Sequence, residues 1–279
     1  MTANRAAGSP AEFVELTWTR VDQPQWIKMR SKVTPLLLVG WEGEHYKPLD
    51  EAPALFLKFA NLEDTEAAYA DFARSYGVPG GARWAVSTGE KADNGEDLCY
   101  PITYDFNWWR KDRMNLAFAV ELWDALRARK AQDMLGKRVM TTSNAAGSDD
   151  VSLLFDDGKY YPCCTVRRDS SPEAKVRAVL GAICSASGLH DGAYVALAAV
   201  PSPRPTDAVG LRLTFEARSL LGAMWLQLAL AIDGNRSYER CPECGNWWDA
   251  TGARSDKKTC SDKCRQARKR HLVPTSGGV

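Results

Sequence analysis

A chain of 279 residues can hold one sizeable core plus a small appendage, and 45% hydrophobic with 25% charged residues is an ordinary globular composition. A net charge of +1 excludes a polyelectrolyte, and the most apolar run, 220–232, is too short for a bilayer and contains Gln227. The segment 1–12 has no apolar signal-peptide region, so a cytoplasmic protein with reduced thiols and no membrane partner is expected.

In chain order, residues 1–11 read as a disordered N-terminus. Val14, Leu16 and Trp18 alternate within a strand expected over 13–19, and 32–39 reads as a second strand. Residues 54–59 form a short apolar run. Asp64 is the expected cap of a helix reaching Tyr76, with Gly77 just past its end and Ala68, Tyr69, Phe72, Ala73 and Tyr76 at helical spacing. Pro79-Gly80-Gly81, Gly89 and Asn94-Gly95 make 77–101 a loop region. The longest helix is expected over 105–130, burying Trp108, Trp109, Leu116, Val120, Trp123 and Leu126.

Residues 141–150 read as a polar link. A hairpin about Asp157-Gly158 joins strands expected at 151–155 and 159–166. Ser170, Ser171, Pro172 and Glu173 carry a cap, an early proline and a Ser-x-x-Glu box, opening a helix with the stripe Val176, Val179, Leu180 and Ile183 that ends at Gly188. Strands are expected at 194–200 and over Leu211, Leu213 and Phe215. Residues 218–233 are apolar nearly all round, which predicts a buried helix. The segment 234–237 is the expected boundary of an α+β body spanning 12–234.

The C-terminal segment, 238–271, carries the chemistry. Cys241 and Cys244 are spaced C-x2-C, Cys260 and Cys264 are spaced C-x3-C, and fifteen residues separate the pairs. Four soft donors in two close pairs suit a tetrahedral Zn2+ site. Gly245 falls where a tight knuckle needs positive φ. Trp247-Trp248 reads as a strand and Lys257-Lys258-Thr259 as its returning partner. Ser261 is the expected cap of a helix that carries Cys264 and a run of cations. Knuckle, hairpin and ligand-bearing helix make a treble-clef zinc finger.

Over 254–271, eight basic residues face two acidic ones, a net of +6, so the remainder carries −5. A basic finger on a neutral-to-acidic body points to phosphate. Lys257, Lys258, Arg265, Arg268, Lys269 and Arg270 are the expected nucleic-acid contacts, with DNA favoured over RNA. The alternative is a finger that docks on a protein partner. A body that senses a ligand or forms a homo-oligomer fits either reading.

No catalytic constellation is legible. His45, His190 and His271 are far apart, no Ser/His/Asp order or phosphate-cradling glycine loop is present, and no His falls within 241–270 to serve a finger nuclease as base. A non-enzymatic protein is therefore expected. Cys163 and Cys164, adjacent in a strand, should face opposite ways, and with Cys99 and Cys184 they read as buried thiols.

Cys241-x-x-Cys244-Gly245, Trp248, Lys257-Lys258, Cys260-Ser261 and Cys264 with its basic helix resemble the CGNR zinc finger. That finger closes bacterial proteins with an N-terminal ABATE domain, which are predicted transcription regulators. This helix begins Cys264-Arg265-Gln266-Ala267 where that family has Cys-Gly-Asn-Arg. The segment from Arg254-Ser255-Asp256 to Gln266 is similar to a looser bacterial group with an Arg-Ser-Asp-x-x-x-Cys-Ser-x-x-Cys-Arg-Gln finger. Upstream, 59–62 and 72–77 resemble the bodies of such proteins. The resemblance implies a DNA-binding, regulatory role. Residues 272–279 read as a disordered tail.

Overall fold

A run of side chains that is apolar on every face can only be accommodated at the centre of a fold, and the helix Leu220–Asp233 lies there. All of residues 220–228 are buried. Ser219 caps it, its Oγ accepting from the Gly222 N–H at 2.9 Å. The structure is a computed structural model, which describes residues 12–13, 18–20, 24–27, 36–38, 44–80, 84–91, 97–154, 160–190, 193–200, 210–217, 219–254 and 256–272. Mixed helix and sheet surround this apolar helix. Against it pack the short helix Leu55–Ala60, the long helix Phe106–Arg127 and the helix Pro172–His190. Among the described residues no helix is long and apolar enough to cross a membrane.

The described strands form small sheets. Ala193–Val200 and Gly210–Ala217 are antiparallel, and Glu12–Phe13 adds to the latter in parallel. Trp84–Lys91, Asp97–Asp105, Leu36–Leu38 and Gln25–Ile27 form a four-stranded sheet. Val139–Ser143, Ser148–Leu154 and Tyr160–Arg167 form a meander. Trp18–Thr19 pairs with His45–Tyr46.

Several expectations are corrected. The region 77–101 is a hairpin over much of its length. Asn94-Gly95 falls between its strands, outside the described residues, and Gly89 falls where the register shifts between Ser87 and Lys91. The polar link at 141–150 is also a hairpin. In its first strand only Val139 is buried, so the sequence shows no alternation. Asn144 organises the turn, its Oδ1 accepting from the Ala146 and Ser148 N–H groups, both at 3.1 Å. The turn expected at Asp157-Gly158 lies outside the described residues, as do residues 14–17 and 32–35 of the predicted strands.

The helix Glu66–Tyr76 is capped by Thr65, not Asp64; the Thr65 Oγ1 accepts from the Ala68 N–H at 3.2 Å. Asp64 instead accepts from the Tyr69 hydroxyl at 2.9 Å and pairs with Arg110 at 2.7 Å. Gly77 ends this helix at φ 85°, and a Cβ there would lie 2.3 Å from the Thr19 carbonyl oxygen. Ser171, rather than Ser170, caps the helix Pro172–His190, which runs past Gly188. In Phe106–Arg127, Trp109 is fully buried but its neighbour Trp108 is 42% exposed, because one residue is a rotation of about 100°. Cys163 and Cys164 both pack against the core: a register shift between Pro162 and Cys164 cancels the alternation expected of adjacent strand residues. Burial pushes the Cys163 and Cys184 thiols each up to about 11. Cys99 lies in the strand Asp97–Asp105, and its side chain lies outside the described set.

Candidate metal centre

The apolar helix ends at Asp233, and Asn235 takes a left-handed φ of 44°, which lets the Arg236 N–H reach the Ala231 carbonyl at 2.8 Å. Within two further residues the chain enters an antiparallel hairpin, Tyr238–Arg240 against Trp247–Asp249. The hairpin rests on the body. Tyr238 sits edge-on to Phe56 at 5.6 Å and near Trp123 at 6.4 Å, and Trp247 packs against the same core. Arg127 lies over the Trp123 ring at 5.1 Å and donates to the Ser237 hydroxyl at 2.7 Å.

The turn of this hairpin is the first cysteine pair. The Cys241 N–H donates to the Asn246 carbonyl and the Gly245 N–H to the Cys241 carbonyl, both at 2.9 Å. Gly245 takes φ 70°, the left-handed value its place in the knuckle requires. Arg240 braces the knuckle by donating from Nε to the Gly245 carbonyl at 3.1 Å. The partner of Trp247–Asp249 is therefore the upstream strand, and Lys257-Lys258-Thr259 is not a strand. Proximity explains the choice: a knuckle closing 241–246 puts the flanking segments side by side.

The second pair stands at the start of the helix Asp262–Leu272. Ser261 caps it, its Oγ accepting from the Cys264 N–H at 3.3 Å, so the ligand-bearing turn is held at its first residues. The four sulfurs of Cys241, Cys244, Cys260 and Cys264 all lie within 4.8 Å of one another. Two separations are 3.5 Å, between Cys244 and Cys260, and 3.6 Å, between Cys260 and Cys264. A tetrahedron with Zn–S bonds of about 2.3 Å has sulfur–sulfur edges of about 3.8 Å. A disulfide needs about 2.05 Å, so these thiols are grouped for a metal and not paired with each other. The donor set and its spacing fit a four-thiolate ion.

Burial opposes ionisation of Cys241, which is 1% exposed, but backbone N–H groups of Cys260, Cys244 and Glu243 outweigh it and bring its thiol down to about 6. Burial and the crowding of the Cys244 thiol push Cys260 up to about 12. Cys241 and Cys260 are thus pushed in opposite directions, and a cation between the sulfurs would favour the thiolate form of both.

The expected contact residues separate into kinds. Lys257 lies over the buried Trp248 ring, Nζ 4.7 Å from its centroid, and Lys258 is exposed. On the helix, Arg265, Lys269 and Arg270 are exposed, and Arg265 pairs with Asp262 at 3.0 Å. Arg268 is half-buried, as are Cys264 and Ala267. Lys263 is exposed beside this set. The charge count includes it, but the expected contacts do not. Among known proteins, no family model, curated protein or solved structure matches this chain.

Proposed function

We propose that the chain is a zinc-dependent, nucleic-acid-binding regulatory protein whose C-terminal finger helix contacts the phosphate backbone. The observation that carries this reading is a four-sulfur cluster anchoring the first turn of a helix with exposed Lys263, Arg265, Lys269 and Arg270. A four-thiolate zinc is a closed structural site without an open position for water, so its role is to hold the helix start in place. The finger is read as a treble clef of the kind found in CGNR-like bacterial regulators. Its knuckle hairpin and ligand helix support that assignment. The protein is read as a binding protein of the cytoplasm and not an enzyme, with a body that serves ligand sensing or homo-oligomerisation.

The test is metal analysis of freshly reduced protein followed by gel retardation. One zinc per chain and retardation of DNA at low salt are expected, with retardation declining steeply as salt rises. Absence of zinc would overturn the metal assignment. A zinc-loaded protein that retards neither DNA nor RNA would replace the nucleic-acid reading with a finger that docks on a protein.

A further inference from the structure

The exposure pattern of the finger helix separates two faces. Cys264, Ala267 and Arg268 are half-buried, whereas Asp262, Lys263, Arg265, Gln266, Lys269 and Arg270 are exposed. At about 100° per residue, those six side chains occupy an arc of about 160°, and Gln266 lies within about 20° of its middle. Arg265 and Lys269 lie toward one edge of the arc, Arg270 and Lys263 toward the other. Asp262, also near the middle, is engaged by Arg265 at 3.0 Å. The exposed face is thus an amide flanked on both sides by cations.

That arrangement matches a groove with phosphate walls and a floor of base edges. The major groove of B-DNA is about 12 Å wide and admits an α-helix, whereas the major groove of duplex RNA is too narrow and deep for one. Cations at the edges of the arc reach the two backbones, and the residue at its centre meets the bases. Of the side chains on this face, the glutamine amide carries both a donor and an acceptor. Gln266 is also two residues from Cys264, where a metal would hold the backbone, and base readout requires such positional certainty.

We propose that the finger helix enters the major groove of duplex DNA and that Gln266 reads an adenine there, Nε2 donating to N7 and Oε1 accepting from the N6 amino group. This rests on the nucleic-acid reading above and adds the ligand class and the residue that sets sequence preference.

The test is selection from a random duplex DNA library with the zinc-loaded full chain and with the variants Gln266→Ala and Gln266→Glu. The wild type should enrich a motif containing an adenine that Gln266→Ala no longer requires. Affinity of Gln266→Ala for the wild-type site should fall roughly 10- to 100-fold, while its binding to random DNA and its salt slope stay unchanged. Gln266→Glu should move the preference at that position to cytosine, whose N4 amino group donates to a carboxylate. Zinc content, unchanged in both variants, checks that the exposed substitutions leave the finger folded. The inference is overturned if Gln266→Ala selects the same motif, if the wild type binds duplex DNA without any motif, or if it prefers single-stranded RNA. In those cases the nucleic-acid reading survives; failure to bind any nucleic acid sinks both.

Discussion

Two buried polar side chains show how single residues tie distant segments together. Gln227 sits on the apolar helix, where its Nε2 donates to the Ala52 carbonyl at 2.8 Å and the Pro48 carbonyl at 3.1 Å, and its Oε1 accepts from the Phe56 N–H at 3.4 Å. Both carbonyls also accept a backbone bond, so the group most dependent on Gln227 is the Phe56 N–H in the first turn of its helix. Gln227→Met keeps the volume and orphans that donor, and should cost about 1–3 kcal/mol in urea unfolding. Asp149 is the second case, 4% exposed, with Lys175 at 2.8 Å and the Ser143 hydroxyl at 2.8 Å. The Lys175 bond, then the Ser143 bond, hold its carboxyl below the usual range. A folded-state pKa lowered in this way contributes stability above the unfolded value, about 4, and loses it as pH falls through the folded one. Asp149→Asn should therefore be less stable than wild type near neutral pH. The two unfolding curves should converge below about pH 4; a constant gap down to pH 2.5 would refute the linkage.

The finger elements are set by chemistry that acts over a few residues, yet their support is tertiary. Structural zinc contributes about 10–16 kcal/mol of apparent binding energy in isolated fingers. Cys260→Ser removes the sulfur that neighbours both Cys244 and Cys264. Its zinc content should fall well below one per chain. Hydrogen exchange should show loss of protection over 256–272, where few apolar contacts remain once the metal is gone. The hairpin strand at Tyr238 should stay protected, because Phe56 and Trp123 hold it independently of the cluster. Uniform protection through 241–272 in the metal-free variant would show that the metal is dispensable for this fold. The same docking means that the segment following the apolar helix is not a free tether: Asn235 turns the chain and Arg127 grips Ser237 within a few residues.

At the scale of the whole molecule, charge separation and core placement are the organising features. The net of +6 over 254–271, opposed by −5 elsewhere, is the asymmetry on which the proposed contact with a polyanion rests. Replacing Lys263, Arg265, Lys269 and Arg270 with Ala should preserve zinc and folding, since all four are exposed. It should lower the salt slope of log K on duplex DNA by about two to three, given about 0.9 per phosphate contact and incomplete engagement. An unchanged slope would place the contacts elsewhere. Much of this was legible in the sequence because it depends on local rules. Cysteine spacing implies a four-sulfur site, a Gly after the knuckle implies positive φ, and an all-apolar run implies a buried helix. Serine caps mark helix starts through bonds spanning three residues. The hairpin over 139–154 was only partly legible, because its first strand is buried at Val139 alone. That over 84–105 is signalled by Asn94-Gly95 and by the alternating Leu98, Tyr100, Ile102 and Tyr104, but its glycines and prolines suit a loop equally well. Only the fold could show that Trp108 faces out while Trp109 is buried, or that Gln227 bonds segments 175 and 179 residues away. Sequence alone determined which sulfurs could hold a metal and where charge accumulates, since composition and short spacing carry that information. The tertiary structure decided which strand pairs with Trp247–Asp249, which aromatic residues support the knuckle and which basic residues face outward, because each depends on what long-range packing brings alongside.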